Sequence, residues 1–139
     1  MTTDGGLRKL FQKHIPQAHW QSVETWSTGQ GVPDLNYCIE GREGWIELKA
    51  AKGLKVKFQP HQIAWLERRY RSGGRVWVAV RKRTLTIDQL WLVGGEHARE
   101  LLTAGISSSL VEDAPRLARV YAWGGGPKQW GWDEIRELL

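Results

Sequence analysis

The sequence predicts an α/β domain with a mixed central sheet flanked by helices. Three observations carry that prediction. Apolar periodicity runs in the order helix, strand, strand, strand, helix, strand. The chain has 139 residues, 41% hydrophobic and 25% charged, enough for one core. No glycine-rich phosphate loop follows the first strand, which disfavours a P-loop or dinucleotide fold.

Leu7, Leu10, Phe11 and Ile15 recur at helical spacing, so a helix is expected over about 6–15, closed by Pro16. His19 to Ser27 alternates and reads as a strand, followed by a turn at Thr28-Gly29-Gln30-Gly31. Asp34 to Glu40 is a second strand, with Leu35, Tyr37 and Ile39 on one face and Cys38 opposite, expected as a small buried or interface residue. Gly41-Arg42-Glu43-Gly44 is expected as a hairpin loop, and Trp45 to Ala50 as the third strand. A basic loop from Lys52 to Gln59 leads to Pro60, which suits a helix's first turn. That helix runs to Tyr70, with Ile63, Leu66 and Tyr70 on one stripe, and Gly73-Gly74 stops it. Val76 to Val80 is a buried strand. Beyond it come a strand from Thr86 to Val93, a short helix from Glu96 to Ala104, a late strand from Leu117 to Trp123, a Gly124–Pro127 loop, and a last helical turn capped by Asp133 and ending at Leu138.

Composition narrows the function classes. No apolar run approaches the roughly 18 residues of a membrane span. The start, Met-Thr-Thr-Asp-Gly-Gly, lacks the basic and apolar regions of a signal peptide, and the single cysteine excludes an internal disulfide or a cysteine-based zinc cage. Cytoplasmic residence, in a bacterial or phage-infected cell, is the expectation. The four histidines, His14, His19, His61 and His97, show no metal-ligand spacing and read as surface or capping residues. Net charge is +5, but residues 41–83 hold twelve Lys/Arg against three acids, while the stretches on either side are net acidic. A basic middle third suggests a polyanion partner, with nucleic acid the leading candidate and a solvated face the plainer alternative.

One constellation in that stretch carries chemistry. Glu47 and Lys49 lie two residues apart on the third strand, so a period of two puts them on one face while Ile46, Leu48 and Ala50 point the other way. The hairpin lets Asp34 approach Glu47. Two carboxylates beside an ammonium suit Mg²⁺ or Mn²⁺, which take few carboxylates, and Lys49 would position water or stabilise charge on a phosphorane-like transition state. An exposed Glu-x-Lys is common surface decoration; here it interrupts an otherwise apolar strand.

Gly31-Val32-Pro33-Asp34 followed by Glu47-Leu48-Lys49 resembles the signature of the PD-(D/E)xK nuclease superfamily. Within it, the likeness is greatest to phage-type and archaeal-type Holliday junction resolvases and the related VRR-Nuc domains. Gln62, Gly73-Gly74 and the strand from Val76 to Val80 fill further places of that pattern. The likeness covers about residues 7–83. It implies a restriction-endonuclease-like core there, with a C-terminal extension over about 84–139 in a single nuclease domain.

The resemblance further implies a Mg²⁺-dependent endonuclease, active with Mn²⁺ as well, that hydrolyses phosphodiesters in branched DNA, most specifically four-way junctions. Asp34, Glu47 and the Leu48 carbonyl would bind metal, Lys49 would be the catalytic lysine, and Gln62 would lie near the active centre. It implies a homodimer, no organic cofactor and no membrane partner. Family members often carry an acid on the first helix. This helix has none, and of Asp4 before it and Glu24 after it, Glu24 is favoured as the third acid. DNA contacts are expected from Ser27, Thr28 and Gln30 in the turn, Lys52, Lys55 and Lys57 in the loop, and Arg68, Arg69 and Arg71 at the helix end. Alternatives are a nuclease of this fold acting on flaps, damaged or duplex DNA, and a non-catalytic nucleic-acid-binding module. Of nine tryptophans, Trp45, Trp65, Trp77 and Trp91 are expected in the core. Trp123, Trp130 and Trp132 are expected to cover a sheet edge, form a dimer surface or stack on bases, in that order.

Overall fold

The computed structural model of the chain describes residues 4–23, 31–106 and 118–139. Helix α1 spans Leu7–His14. Its Leu7 and Phe11, four residues apart on one stripe, are fully buried, as is Ile15 just beyond. Six strands follow the chain order across one sheet: β1 (His19–Ser22), β2 (Leu35–Ile39), β3 (Arg42–Ala50), β4 (Arg75–Arg83), β5 (Asp88–Gly94) and β6 (Val120–Trp123). β3 and β4 are parallel, because helix α2 (Pro60–Arg71) returns the chain to the starting edge. All other neighbours are antiparallel. A 3₁₀ turn (Gly95–His97) leads into helix α3 (Ala98–Ala104), and helix α4 (Trp132–Leu138) ends the described elements.

The sheet separates two cores. On one face Leu35, Tyr37, Ile39, Ile46, Leu48, Trp77, Ala79, Leu90 and Leu92 pack beneath α1 and α4, which contribute Phe11 and Ile135 among others. On the other face Val76, Val78, Val80, Trp91 and Val93 meet Ile63 and Leu66 of α2 and Ala98 and Leu101 of α3. Strands buried on both sides read as continuous β-branched and apolar runs, which is why Val76–Val80 was legible. Among the described residues, no helix is long and apolar enough to cross a membrane.

Several expectations change. The hairpin turn is the pair Glu40-Gly41, with φ of 50° and 79°, and Ile39 pairs with Arg42 across it. Two central residues at positive φ are what the tightest hairpins require, so Arg42–Gly44 join β3 rather than the loop. Cys38 is exposed, because it sits on the face of β2 that no helix covers. Tyr70 is 42% exposed, since the buried stripe of α2 ends at Leu66. Asp133 does not cap α4; the helix begins at Trp132 after Gly131, and Asp133 lies in its first turn, where an acid favours the dipole. His14 is half-buried, stacked on Trp132 at 4.6 Å. β1 ends at Ser22 and β6 begins at Val120; the expected continuations to Ser27 and from Leu117 fall partly outside the described residues.

The C-terminal residues are built into the fold. β5 and β6 extend the sheet itself, and Trp130, Ile135 and Leu139 are buried in the α1-side core. Trp132 meets Phe11 edge-on at 5.5 Å, and Trp123 stacks on Tyr121 at 6.3 Å. Trp77 and Trp91 are buried, whereas Trp45 and Trp65 are half-buried against the α2-side core.

Candidate active site

The pairing of β2 with β3 ends at Leu35 and Ile46. Beyond Ile46, the β2-side edge of β3 has no strand partner. Asp34 takes that place with its side chain: Oδ2 accepts the Leu48 N–H at 2.9 Å. The N–H and C=O of one strand residue point to the same edge, so the Leu48 carbonyl faces the Asp34 side as well. Arg8 Nη1 of α1 donates to the Asp34 carbonyl at 3.2 Å and fixes the segment from the other side.

Gly31 explains why the motif begins with glycine. Its φ is +87°, and a Cβ there would run into the His61 carbonyl in the first turn of α2. Only a residue without a side chain lets the Gly31–Asp34 segment pass this close to α2. The turn of α2 it touches also presents Gln62.

Glu47 and Lys49 share the α2 face of β3, as the alternation predicted. Glu47 is 2% exposed, and its Oε2 is buried without a hydrogen-bond partner. Burial first, and then hydrogen bonding and charge from Asp34, push its pKa up from 4.5 to about 9, against the opposing charge of Lys49 and a backbone hydrogen bond from Leu48. Burial lowers the Lys49 pKa, and the charges of Glu47 and Asp34 oppose that. Lys49 Nζ donates to Gln62 Oε1 at 2.9 Å, and the same oxygen accepts the Gln59 N–H at 2.9 Å in a capping box at the start of α2.

These groups line one cavity of about 320 Å³, together with Asp4 and Arg8. Asp34, the Glu47–Lys49 pair and Gln62, each 13 positions from the next, are therefore brought together. Asp4 and Arg8 are the residues that sequence reasoning undervalued. Asp4 sits in the turn entering α1, its Oδ1 accepting the Gly6 N–H at 2.9 Å. The next residue is clamped from 76 positions away, Arg81 Nη1 donating to the Gly5 carbonyl at 2.8 Å. No local pattern marks either one: an aspartate ahead of a helix is ordinary first-turn chemistry. Glu24 lies outside the described residues, as do Ser27, Thr28 and Gln30.

The donor set fits a hard cation of low protein coordination. It offers two carboxylates in contact, a carbonyl facing them, and a buried carboxylate oxygen lacking any partner. Asp4 does not close this into a three-acid cluster: among the described residues, no group of three or more His, Cys, Asp or Glu side chains is placed to hold a metal.

The cations expected at the substrate surround the cavity less closely. Lys52, Lys55 and Lys57 are exposed on the loop that leaves β3, whose Lys52 and Lys55 backbones bond to each other. Arg68, Arg69 and Arg71 are exposed at the end of α2. Arg69 lies over the Trp65 ring at 4.6 Å and the Trp45 ring at 5.7 Å, so part of its cationic face is engaged by aromatics. Arg68 and Arg69 line a separate groove with His61 and Trp65. No protein-family model matches this chain, and no curated protein matches it.

Proposed function

We propose that this protein is a metal-dependent endonuclease that hydrolyses phosphodiester bonds in branched DNA, with four-way junctions as its substrate. One observation carries the reading: a buried Glu47 carboxylate, one oxygen of which has no hydrogen-bond partner, held against Asp34 with Lys49 on the same strand face. A carboxylate placed where nothing else satisfies it costs folding energy, and that arrangement is characteristic of sites that recruit a cation. Asp34, Glu47 and the Leu48 carbonyl would hold Mg²⁺ or Mn²⁺, which would supply an acidified water and polarise the phosphodiester.

The chain's own residues do the rest. Lys49, fixed by Gln62, directs positive charge or a proton toward the attacked phosphate. Arg8 and the lysines of residues 52–57 draw the DNA backbone to the cavity mouth. Two active sites on a homodimer would match the two-fold symmetry of a junction. A cytoplasmic location, in a bacterial or phage-infected cell, is part of this proposal.

The test is a substrate panel. Purified protein is incubated with a four-way junction, a flap, a linear duplex and single strands, with and without Mg²⁺. Symmetric, Mg²⁺-dependent junction cuts that vanish in Asp34→Asn with binding retained support the proposal. Cutting of flaps but not junctions moves the substrate to another DNA structure. Metal-independent cleavage contradicts the site, and tight binding without cleavage leaves a nucleic-acid-binding module.

A further inference from the structure

We infer that Phe58 is a positioning residue for Lys49: its ring holds the ammonium away from the two carboxylates and aims it at the cavity. The inference rests on the nuclease reading above and adds to it a residue outside the sequence motif.

Lys49 Nζ lies 4.7 Å from the centroid of the Phe58 ring, within reach of its negative face. Its other contact is Gln62 Oε1 at 2.9 Å. That amide cannot be turned around. Its oxygen also accepts the Gln59 backbone N–H, which can only donate, so the atom facing Lys49 is an acceptor. The ammonium therefore sits between a fixed carbonyl oxygen and a ring.

The consequence appears in what Lys49 does not do. Two carboxylates flank it, and an unrestrained lysine would collapse onto them. Among the described residues, the ion pairs within 4.0 Å are Arg42–Glu40, Arg81–Asp88, Arg99–Glu67 and Arg119–Glu96, and Lys49 is in none of them. Phe58 and Gln62 hold it off.

The ring is itself anchored. Phe58 packs against the α2-side core beside Val56, which is 2% exposed. The loop is pinned to the end of α3 by the Ile106 N–H on the Leu54 carbonyl at 2.8 Å. Lys55 and Lys57 are exposed between these inward residues. One alternating stretch thus turns cations outward to the DNA and an aromatic inward to the lysine.

The experiment compares wild type, Phe58→Leu and Phe58→Tyr by steady-state cleavage of the junction in Mg²⁺. Lys49 ε-CH₂ protons are followed in parallel by ¹H–¹³C NMR, assigned with Lys49→Arg. The expected result is a loss of about tenfold in kcat for Phe58→Leu with KM unchanged, and near-complete rescue in Phe58→Tyr, which keeps the ring. The ε-CH₂ signal should lie upfield from the ring current in wild type and Phe58→Tyr, and return to the ordinary lysine position in Phe58→Leu. Equal kcat in wild type and Phe58→Leu overturns the role of Phe58, as does loss of activity that Phe58→Tyr fails to restore. An ordinary wild-type signal overturns the contact. A wild type that cuts no DNA while its Lys49 signal stays upfield defeats the nuclease reading and leaves the placement of Lys49 by Phe58 supported.

Discussion

Charge is buried at two places in this molecule, and the two are built on opposite terms. Arg81, 8% exposed, is satisfied from every side. Its Nε and Nη2 reach the Asp88 carboxylate at 2.9 and 2.7 Å, its Nη1 reaches the Gly5 carbonyl, and the Trp130 ring lies 5.4 Å away. Glu47 is more deeply buried, faces a second carboxylate, and leaves one oxygen with no partner. The first arrangement ties the N-terminal segment to the β4–β5 hairpin. The second costs stability, and the cation proposed for it would offset that cost. The two charges differ in satisfaction more than in burial.

The contrast breaks most sharply by substitution. Glu47→Gln should reduce cleavage by on the order of 10³-fold, the scale for losing one preorganised electrostatic group. It should leave the fold intact, as circular dichroism would show. Arg81→Leu should do the reverse. It leaves the half-buried Asp88 carboxylate and the Gly5 carbonyl without their donor and should cost about 2 kcal/mol of stability in denaturant unfolding. Any fall in its activity should follow the unfolded fraction and the loosened Asp4 segment.

Acidity sharpens the same comparison. The folded state holds the Glu47 proton up to about pH 9, whereas the unfolded chain releases it near 4.5. Between those values the folded state binds more protons, so metal-free stability should fall as pH rises through that window. Lys49, lowered from 10.5, opposes the slope toward the alkaline end. Thermal melts should therefore show Glu47→Gln several degrees more stable than wild type at pH 8 and nearly equal at pH 5. Mn²⁺ should raise the melting temperature of wild type and not of Glu47→Gln, because a cation takes the place of the proton. The smallest effect should come from the loop. Each of Lys52→Ala, Lys55→Ala and Lys57→Ala should lower the salt dependence of DNA binding by about one counterion without changing kcat.

What the sequence made legible follows the range of the interactions. Glu47 and Lys49 share a face because a strand alternates, and Asp34 meets Glu47 because a two-residue turn returns β3 beside β2. Both are local rules. Asp4 and Arg8 arrive at the cavity by tertiary packing, with Gly5 clamped by an arginine 76 positions away, and no local pattern announces that. The C-terminal tryptophans, expected to cover a sheet edge, form a dimer surface or stack on bases, instead pack in and against the α1-side core, again through contacts distant in sequence. Trp130 fills space between Arg81 and the α1-side core, and its Nε1 donates to the Asp88 carbonyl at 3.3 Å. The hairpin boundary was misplaced because Arg42 and Glu43 are polar and look like loop. They sit on β3 because Glu40 and Gly41 alone accept the positive φ of the turn.

Asp34 and Glu47 are proposed to hold a cation that supports DNA cleavage beside Lys49. The most direct measurement is the rate of cleavage of an immobile four-way junction as Mg²⁺ is titrated, for wild type and Glu47→Gln in parallel. Wild type should show saturable, Mg²⁺-dependent cleavage abolished by chelation, and Glu47→Gln should bind the junction but cut it on the order of 10³-fold more slowly. Equal cleavage by the two proteins, or wild-type cleavage that survives chelation, would contradict this proposal.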